Sequence, residues 1–267
     1  MSKKKRKISG TREWAESSCN FVNGCWNDCR YCYARYNMHS RYKKLKRWDD
    51  WKWMAVRPDE VRKGRNKKEG RIMTPTTHDI IDGPVLAAAL IVWRKLLEAG
   101  NDLLIVSKPR LECITKICNE FHEFKKQIMF RFTIGSTNDE ILGYWEPNAP
   151  TFLVRQACLC HAFNEGFVTS VSAEPLLDAN GVEKLVKDVE MWVNDSIWIG
   201  KLNHVDSRVR VETPRDESFV EMIKAGQTDE KIREIYEALK DHPFVKWKES
   251  YKEVLGLKLA DEAGEDA

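Results

Sequence analysis

Apolar residues in this chain come in short unbroken runs separated by stretches of helical periodicity. The runs at 18–22, 71–74, 103–107, 127–135, 167–173 and 196–200 read as strands, because each is short and bounded by turn-forming residues or by a helical pattern. They are continuous rather than alternating, so both faces are expected to be covered. Asp82-Gly83-Pro84 opens a helix that runs to Leu97 and is closed by Gly100, since Asp caps well and Pro suits a first turn. Leu111, Ile114, Cys118 and Phe121 mark one face of the next. Residues 150–165 and 182–189 continue the series, and a further helix is predicted over 31–46.

Strands that alternate with helices imply a parallel sheet built by right-handed crossovers, either opened into a doubly wound sheet or curled into a barrel. Polar residues gather just after the strands, at His78, Lys108, Ser136, Glu174 and Asn203. In a barrel these positions share one rim, where such folds keep their chemistry. The expected organisation is a tail at 1–13, a barrel over 14–205, a helical extension over 206–256 and an acidic tail at 257–267. Both tails are predicted to be disordered.

Composition narrows the class. With 267 residues, 42% of them hydrophobic and 32% charged, the chain can bury a core and is not disordered as a whole. No apolar stretch approaches a membrane span, and the basic residues 1–7 precede no hydrophobic segment, so a soluble, cytoplasmic protein is expected. Net charge is only +3, but it is uneven: residues 1–71 hold 21 Lys and Arg against 8 Asp and Glu. Residues 41–71 alone carry 13 Lys and Arg with Trp48, Trp51 and Trp53, which reads as an inserted basic flap. Such a flap suits phosphate contacts and base stacking, or the tryptophans anchor it on the barrel.

Eight cysteines in a chain without an export signal point to thiols, metal or a cluster rather than disulfides. Three of them, Cys25-x3-Cys29-x2-Cys32, fall on one predicted loop between a strand and a helix. Zinc would need a fourth ligand, which only Cys19 or His39 could supply. A four-iron cluster held by three thiolates leaves one iron open for a ligand. Cys158 and Cys160, beside His161, sit two apart on a predicted helix and so face away from each other.

The three-cysteine spacing is identified as the signature of the radical S-adenosylmethionine enzymes. The longer string Cys-x3-Cys-x2-Cys-Tyr-Ala-Arg, residues 25–35, resembles the spore photoproduct lyase and DNA repair photolyase branch of that superfamily. The resemblance implies an α/β partial (β/α)6 TIM-type barrel with a [4Fe-4S] cluster on Cys25, Cys29 and Cys32. It also implies S-adenosyl-L-methionine on the open iron, cleaved to methionine and a hydrogen-abstracting 5′-deoxyadenosyl radical. Tyr31 matches the position near the adenine, and Lys108 matches a lysine that meets the methionyl carboxylate. An external one-electron donor of flavodoxin or ferredoxin type follows from the same chemistry. The chain departs from the superfamily after its second strand, where Thr76-Thr77-His78-Asp79 stands in place of Gly-Gly-Glu.

Other rim residues have two readings each. His78 is a proton carrier or substrate partner, or it belongs to a turn network with Asp79. Glu174 meets a ribose hydroxyl or an ammonium group, or it pairs with Lys201 or Arg131. Ser136 and Asn138 reach the ribose, or they are ordinary turn residues, and Asn203 and His204 complete the rim. The resulting expectation is a radical enzyme acting on nucleic acid or a modified nucleobase, in lesion repair or in remodelling of a modified thymine. Radical modification of a protein or small metabolite, and a non-catalytic zinc-stabilised nucleic-acid-binding module, are the other readings.

Overall fold

The computed structural model describes residues 8–266; residues 1–7 of the expected basic tail, and Ala267, lie outside the described residues. Among the described residues nine strands form two sheets: β1 (Ser17–Ser18), β2 (Val22–Asn23), β3 (Ala55–Val56), β4 (Arg71–Met73), β5 (Asp102–Ser107), β6 (Ile128–Thr133), β7 (Val168–Ala173), β8 (Ile197–Ile199) and β9 (Val245–Trp247). Seven of them make one all-parallel sheet in the order β1-β4-β5-β6-β7-β8-β9, and β2 with β3 forms an antiparallel ribbon beside it. Sequential parallel strands with helical crossovers give the partial barrel.

The helices are α1 (Tyr33–Tyr36), α2 (Pro58–Arg62), α3 (Pro84–Glu98), α4 (Leu111–Glu120), α5 (Asp139–Trp145), α6 (Phe152–Asn164), α7 (Val182–Val189), α8 (Val205–Arg208), α9 (Pro214–Ala225), α10 (Asp229–Leu239) and α11 (Glu249–Leu255). Among the described residues none is long and apolar enough to cross a membrane.

The strands do alternate, but between two buried faces. Ile72, Leu103, Ile105, Phe130, Phe132, Val171, Ile197 and Ile199 pack outward into the main core. Met73, Leu104, Met129 and Trp198 point inward and join Trp14 and Ala15 in a second cluster. Because both sides exclude water, the runs read as continuous. The inner face also carries polar groups. Arg131 is fully buried, donates to Ser170 Oγ at 2.9 Å and lies over the Trp14 and Trp198 rings. Burial lowers its pKa to about 9 against the pull of Asp195.

Four expectations are corrected. The sheet has seven strands, since β9 of the C-terminal extension pairs with β8. The first strand-like run is split, with β1 in the barrel and β2 in the ribbon. The helix over 31–46 ends early, as α1 followed by one π turn at Asn37–Arg41. Lys43 then takes a positive φ, and the five cations between Arg41 and Arg47 have no acid among them to favour a helix. Asp82 does not cap α3; it pairs with Lys116 at 2.8 Å, and Gly83 holds the cap position.

The expected tails also carry structure within the described range. Gly10–Glu13 forms one 3-10 turn that leads Trp14 into the barrel. Residues 264 and 266 bind its backbone, through Gly264 N–H to Arg12 and Asp266 N–H to Glu13. Lys252 fixes the Asp266 carboxylate at 2.8 Å.

Candidate functional site

A cavity of about 580 Å³ opens at the strand ends. It gathers Cys25, Cys29, Tyr31 and Cys32 from the loop after β2, His78 and Asp79 after β4, Ser107 and Lys108 at the end of β5, and Glu174 after β7. Lys201, Asn203, His204 and Arg208 close it from the segment after β8. Ser136 and Asn138 are not in the lining. Asn138 instead caps α5, accepting from the Glu140 and Ile141 amides, while Ser136 Oγ accepts from the Asn138 amide at 2.9 Å.

The cysteine loop is tied down from three sides. Gly24 has φ 85°, and any side chain there would run into the Trp51 and Trp53 carbonyls. That close approach lets Cys25 N–H donate to Trp51 O at 2.8 Å, so the basic flap holds the loop. Buried Asn27 donates to Asp79 Oδ2 at 2.7 Å and accepts from Arg110 at 3.0 Å. Asp79 Oδ1 in turn accepts from Ser107 Oγ and from the Lys108 amide, both at 2.7 Å. Asp79 therefore knots the cysteine loop to the ends of β4 and β5.

Burial raises the Cys25 thiol pKa to about 12, with Asp79 and Cys32 adding to it, and that of Cys29 well above the ordinary value, where Lys108 opposes and Glu146, Cys25 and Cys32 add. Cys32 is half-buried, and its sulfur accepts from the Arg35 amide at 3.4 Å. Among the described residues no three His, Cys, Asp or Glu side chains are gathered tightly enough to clasp one metal ion. All three instead line the one cavity, a donor set that would suit a multi-iron cluster held by three thiolates. Neither expected zinc partner joins it. Cys19 is buried outside the lining, and His39 pairs with Ser40 and packs edge-on to Trp48.

Next to the thiols stands a buried ionic group that the sequence reading lacked. Glu146 is fully enclosed, with Arg155 at 2.6 Å and Lys108 at 3.7 Å on different oxygens, and it accepts from the Tyr31 hydroxyl. Burial pushes the Tyr31 pKa well up, and Glu146 adds to this. Burial opposes the Lys108 ammonium, but the Cys29 sulfur and Glu146 outweigh it and raise its pKa. The available signal was Arg155, a charged residue on the inward face of α6 that had to find an anion.

Glu174 pairs with neither Lys201 nor Arg131. Its partner is Lys248 at 3.5 Å, which also holds Glu13 at 2.8 Å and lies 3.8 Å from the centre of the Trp14 ring. Burial raises the Glu174 pKa against the pull of Lys248. The same effect, helped by a hydrogen bond with Glu249, lifts Glu13 to about 7. His78 is buried edge-on to Phe21, and desolvation lowers its pKa to about 4, so its ring is neutral at physiological pH. Its Nδ1 faces the Asp79 carbonyl at 3.2 Å, and its Nε2 has no partner among the described residues.

In the flap, Trp51 is buried against Cys25 and Ala34, and Trp48 is stacked by Arg35 and Arg210. Trp53 is 65% exposed with Lys52 over its ring. Two tryptophans thus anchor the flap, and one faces solvent.

No family model matches the chain. Among curated proteins it is similar to the uncharacterized protein ORF301 of Acidianus two-tailed virus, 27% identical over 192 residues and 68% of this chain. The chain spans 63% of the length of that curated relative. Among solved structures it is similar to spore photoproduct lyase complexed with dinucleoside spore photoproduct, at 15% identity and TM-score 0.56 over 92% of this chain and 81% of the other. A doubly substituted form of that enzyme, with bound AdoMet and the dinucleoside, matches at 14% identity and TM-score 0.51 over 85% and 74%. The chain has the partial-barrel fold of spore photoproduct lyase.

Proposed function

We propose that this protein is a radical S-adenosylmethionine enzyme whose substrate is a nucleobase in nucleic acid or a nucleotide, of the kind met in DNA lesion repair or thymine modification. The observation that carries the reading is the convergence of Cys25, Cys29, Cys32, Tyr31 and Lys108 on one cavity at the strand ends of this barrel. The three cysteines would hold a [4Fe-4S] cluster. With S-adenosylmethionine bound beside them and an electron from a flavodoxin- or ferredoxin-type donor, the pair supplies a hydrogen-abstracting carbon radical.

The chain's own residues do the binding and shielding. Lys108, with only 12% of its side chain exposed, offers a desolvated positive charge to a carboxylate. Tyr31 is locked by Glu146 and presents its ring face beside Lys108, 5.7 Å from ring centre to Nζ. Glu174, 19% exposed at the cavity wall, accepts from a hydroxyl or ammonium group. His78, neutral and with Nε2 unpaired among the described residues, is available to one substrate polar group. The enclosing wall of Thr76, Thr77 and Val106 limits water around them.

The test is electron paramagnetic resonance of anaerobically reconstituted, dithionite-reduced protein, with and without S-adenosylmethionine. A reduced-cluster signal that shifts on adding the cofactor is expected, and Cys25→Ala, Cys29→Ala or Cys32→Ala should each abolish it. Retained zinc with no iron signal would overturn the reading.

A further inference from the structure

We infer that Lys201 and Arg208 form the subsite for the phosphate of a nucleotide substrate, an assignment that rests on the nucleic-acid reading above. Both side chains line the cavity, and both are half-buried. Neither makes an ion pair, a side-chain hydrogen bond or a ring contact with the described residues. That sets Arg208 apart. The other buried or half-buried arginines, at 30, 35, 65, 71, 94, 110, 131 and 155, all donate to a described partner. Lys201 differs from Lys95, Lys108 and Lys252 in the same way.

A half-buried cation without a partner gives up hydration and gets nothing back within the chain. Burial lowers the Arg208 pKa, and the one carboxylate that acts against this, Glu174, is already held by Lys248. The backbone beneath the pair is nevertheless fixed. Lys201 N–H donates to Ser250 Oγ at 3.1 Å, and the Leu202 amide donates to Gln227. A held loop with two free cationic ends is an anion site prepared in advance. A guanidinium fork and an ammonium point charge lining one cavity suit a phosphate, which takes two parallel bonds from the first kind of group and a single strong one from the second.

The experiment compares wild-type full-length protein, anaerobically reconstituted, with Lys201→Gln, Arg208→Gln and the double variant. The probes are thymidylyl-(3′→5′)-thymidine, its uncharged methylphosphonate analogue, thymidine 5′-monophosphate and S-adenosylmethionine, each titrated by calorimetry. Wild type should favour the phosphodiester over the methylphosphonate by tenfold or more. The double variant should lose that preference and bind S-adenosylmethionine within twofold of wild type. Arg208→Lys, which keeps the charge, should retain most of the preference, and unfolding midpoints should be unchanged because neither side chain has an internal partner to lose. Tighter binding of the monophosphate than of the dinucleotide supports the subsite and assigns it to a free nucleotide.

Equal wild-type affinity for charged and uncharged dinucleotides would overturn the inference. So would a loss in the variants that falls on S-adenosylmethionine, since the cations would then serve the cofactor carboxylate. Phosphate discrimination in a protein that assembles no cluster would uphold the subsite and sink the radical reading instead.

Discussion

Lys108 and Lys248 both stand beside the cavity with most of the side chain covered, yet their surroundings differ. Lys248 is fully enclosed, with Glu13 at 2.8 Å, Glu174 at 3.5 Å, the Gly10 carbonyl at 3.0 Å and the Trp14 ring against it. Lys108 stands 3.7 Å from Glu146, a carboxylate that Arg155 already holds at 2.6 Å. One ammonium is saturated by the chain, and the other is held loosely at the cavity wall. Buried charge is therefore not itself a mark of function. An incomplete set of partners facing a cavity is the better guide, and by that measure Lys108, Lys201 and Arg208 belong together while Lys248 does not.

The strongest way to break this contrast is Lys248→Met. It leaves Glu13 and Glu174 without their cation, and removal of one partner from a buried ionic group costs on the order of 3–5 kcal/mol. Urea unfolding should show a midpoint far below wild type, and a midpoint near wild type would mean that Lys248 is not the structural member of the pair. Next comes Lys108→Ala. Glu146 keeps Arg155 and Tyr31, so the unfolding midpoint should move little. Affinity for S-adenosylmethionine should fall roughly tenfold to a hundredfold, or about 1.4 to 2.8 kcal/mol; unchanged affinity in calorimetry would place Lys108 beside Lys248 as a structural residue.

A third effect concerns pH. Burial holds the Glu13 pKa at about 7 in the folded chain against 4.5 for the free side chain. Between those values the native state carries a proton that the unfolded state has released. The stability this contributes is complete below pH 4.5 and is lost as pH rises through 7. Glu13→Gln removes the titration, so the stability difference between wild type and variant should decline across pH 5 to 7. A difference that does not change over this range would show that Lys248 keeps Glu13 ionised throughout.

Much of the barrel was legible because β4 to β8 are largely buried on both faces, which leaves short dense runs in the sequence. β9 escaped because Val245-Lys246-Trp247 is three residues long and places Lys246 toward the barrel interior, over Trp198. A charged residue inside a charged, helical stretch gives no strand signal. Cys25, Cys29 and Cys32 were found by spacing, His78, Lys108 and Glu174 by strand-end position and Tyr31 by the family resemblance, and all reach the cavity. The same rule placed Ser136 and Asn138 there, but the chain has already turned into α5 by that point. Glu146 and Lys248 were invisible because their roles depend on partners far away in sequence, at Lys108 and Arg155 for one and at Glu13 and Glu174 for the other.

The bond from Lys248 to the Gly10 carbonyl joins positions 238 residues apart. During synthesis the cysteine loop and the first eight strands therefore leave the ribosome before the residue that secures Trp14 and Glu13 exists. Contacts of such separation form late, after most loop closure has been paid in entropy. A nascent chain halted before Lys248 carries Cys25, Cys29 and Cys32 in an unfinished barrel, so completion of the cavity waits for the synthesis of Lys248 rather than following the emergence of these thiols.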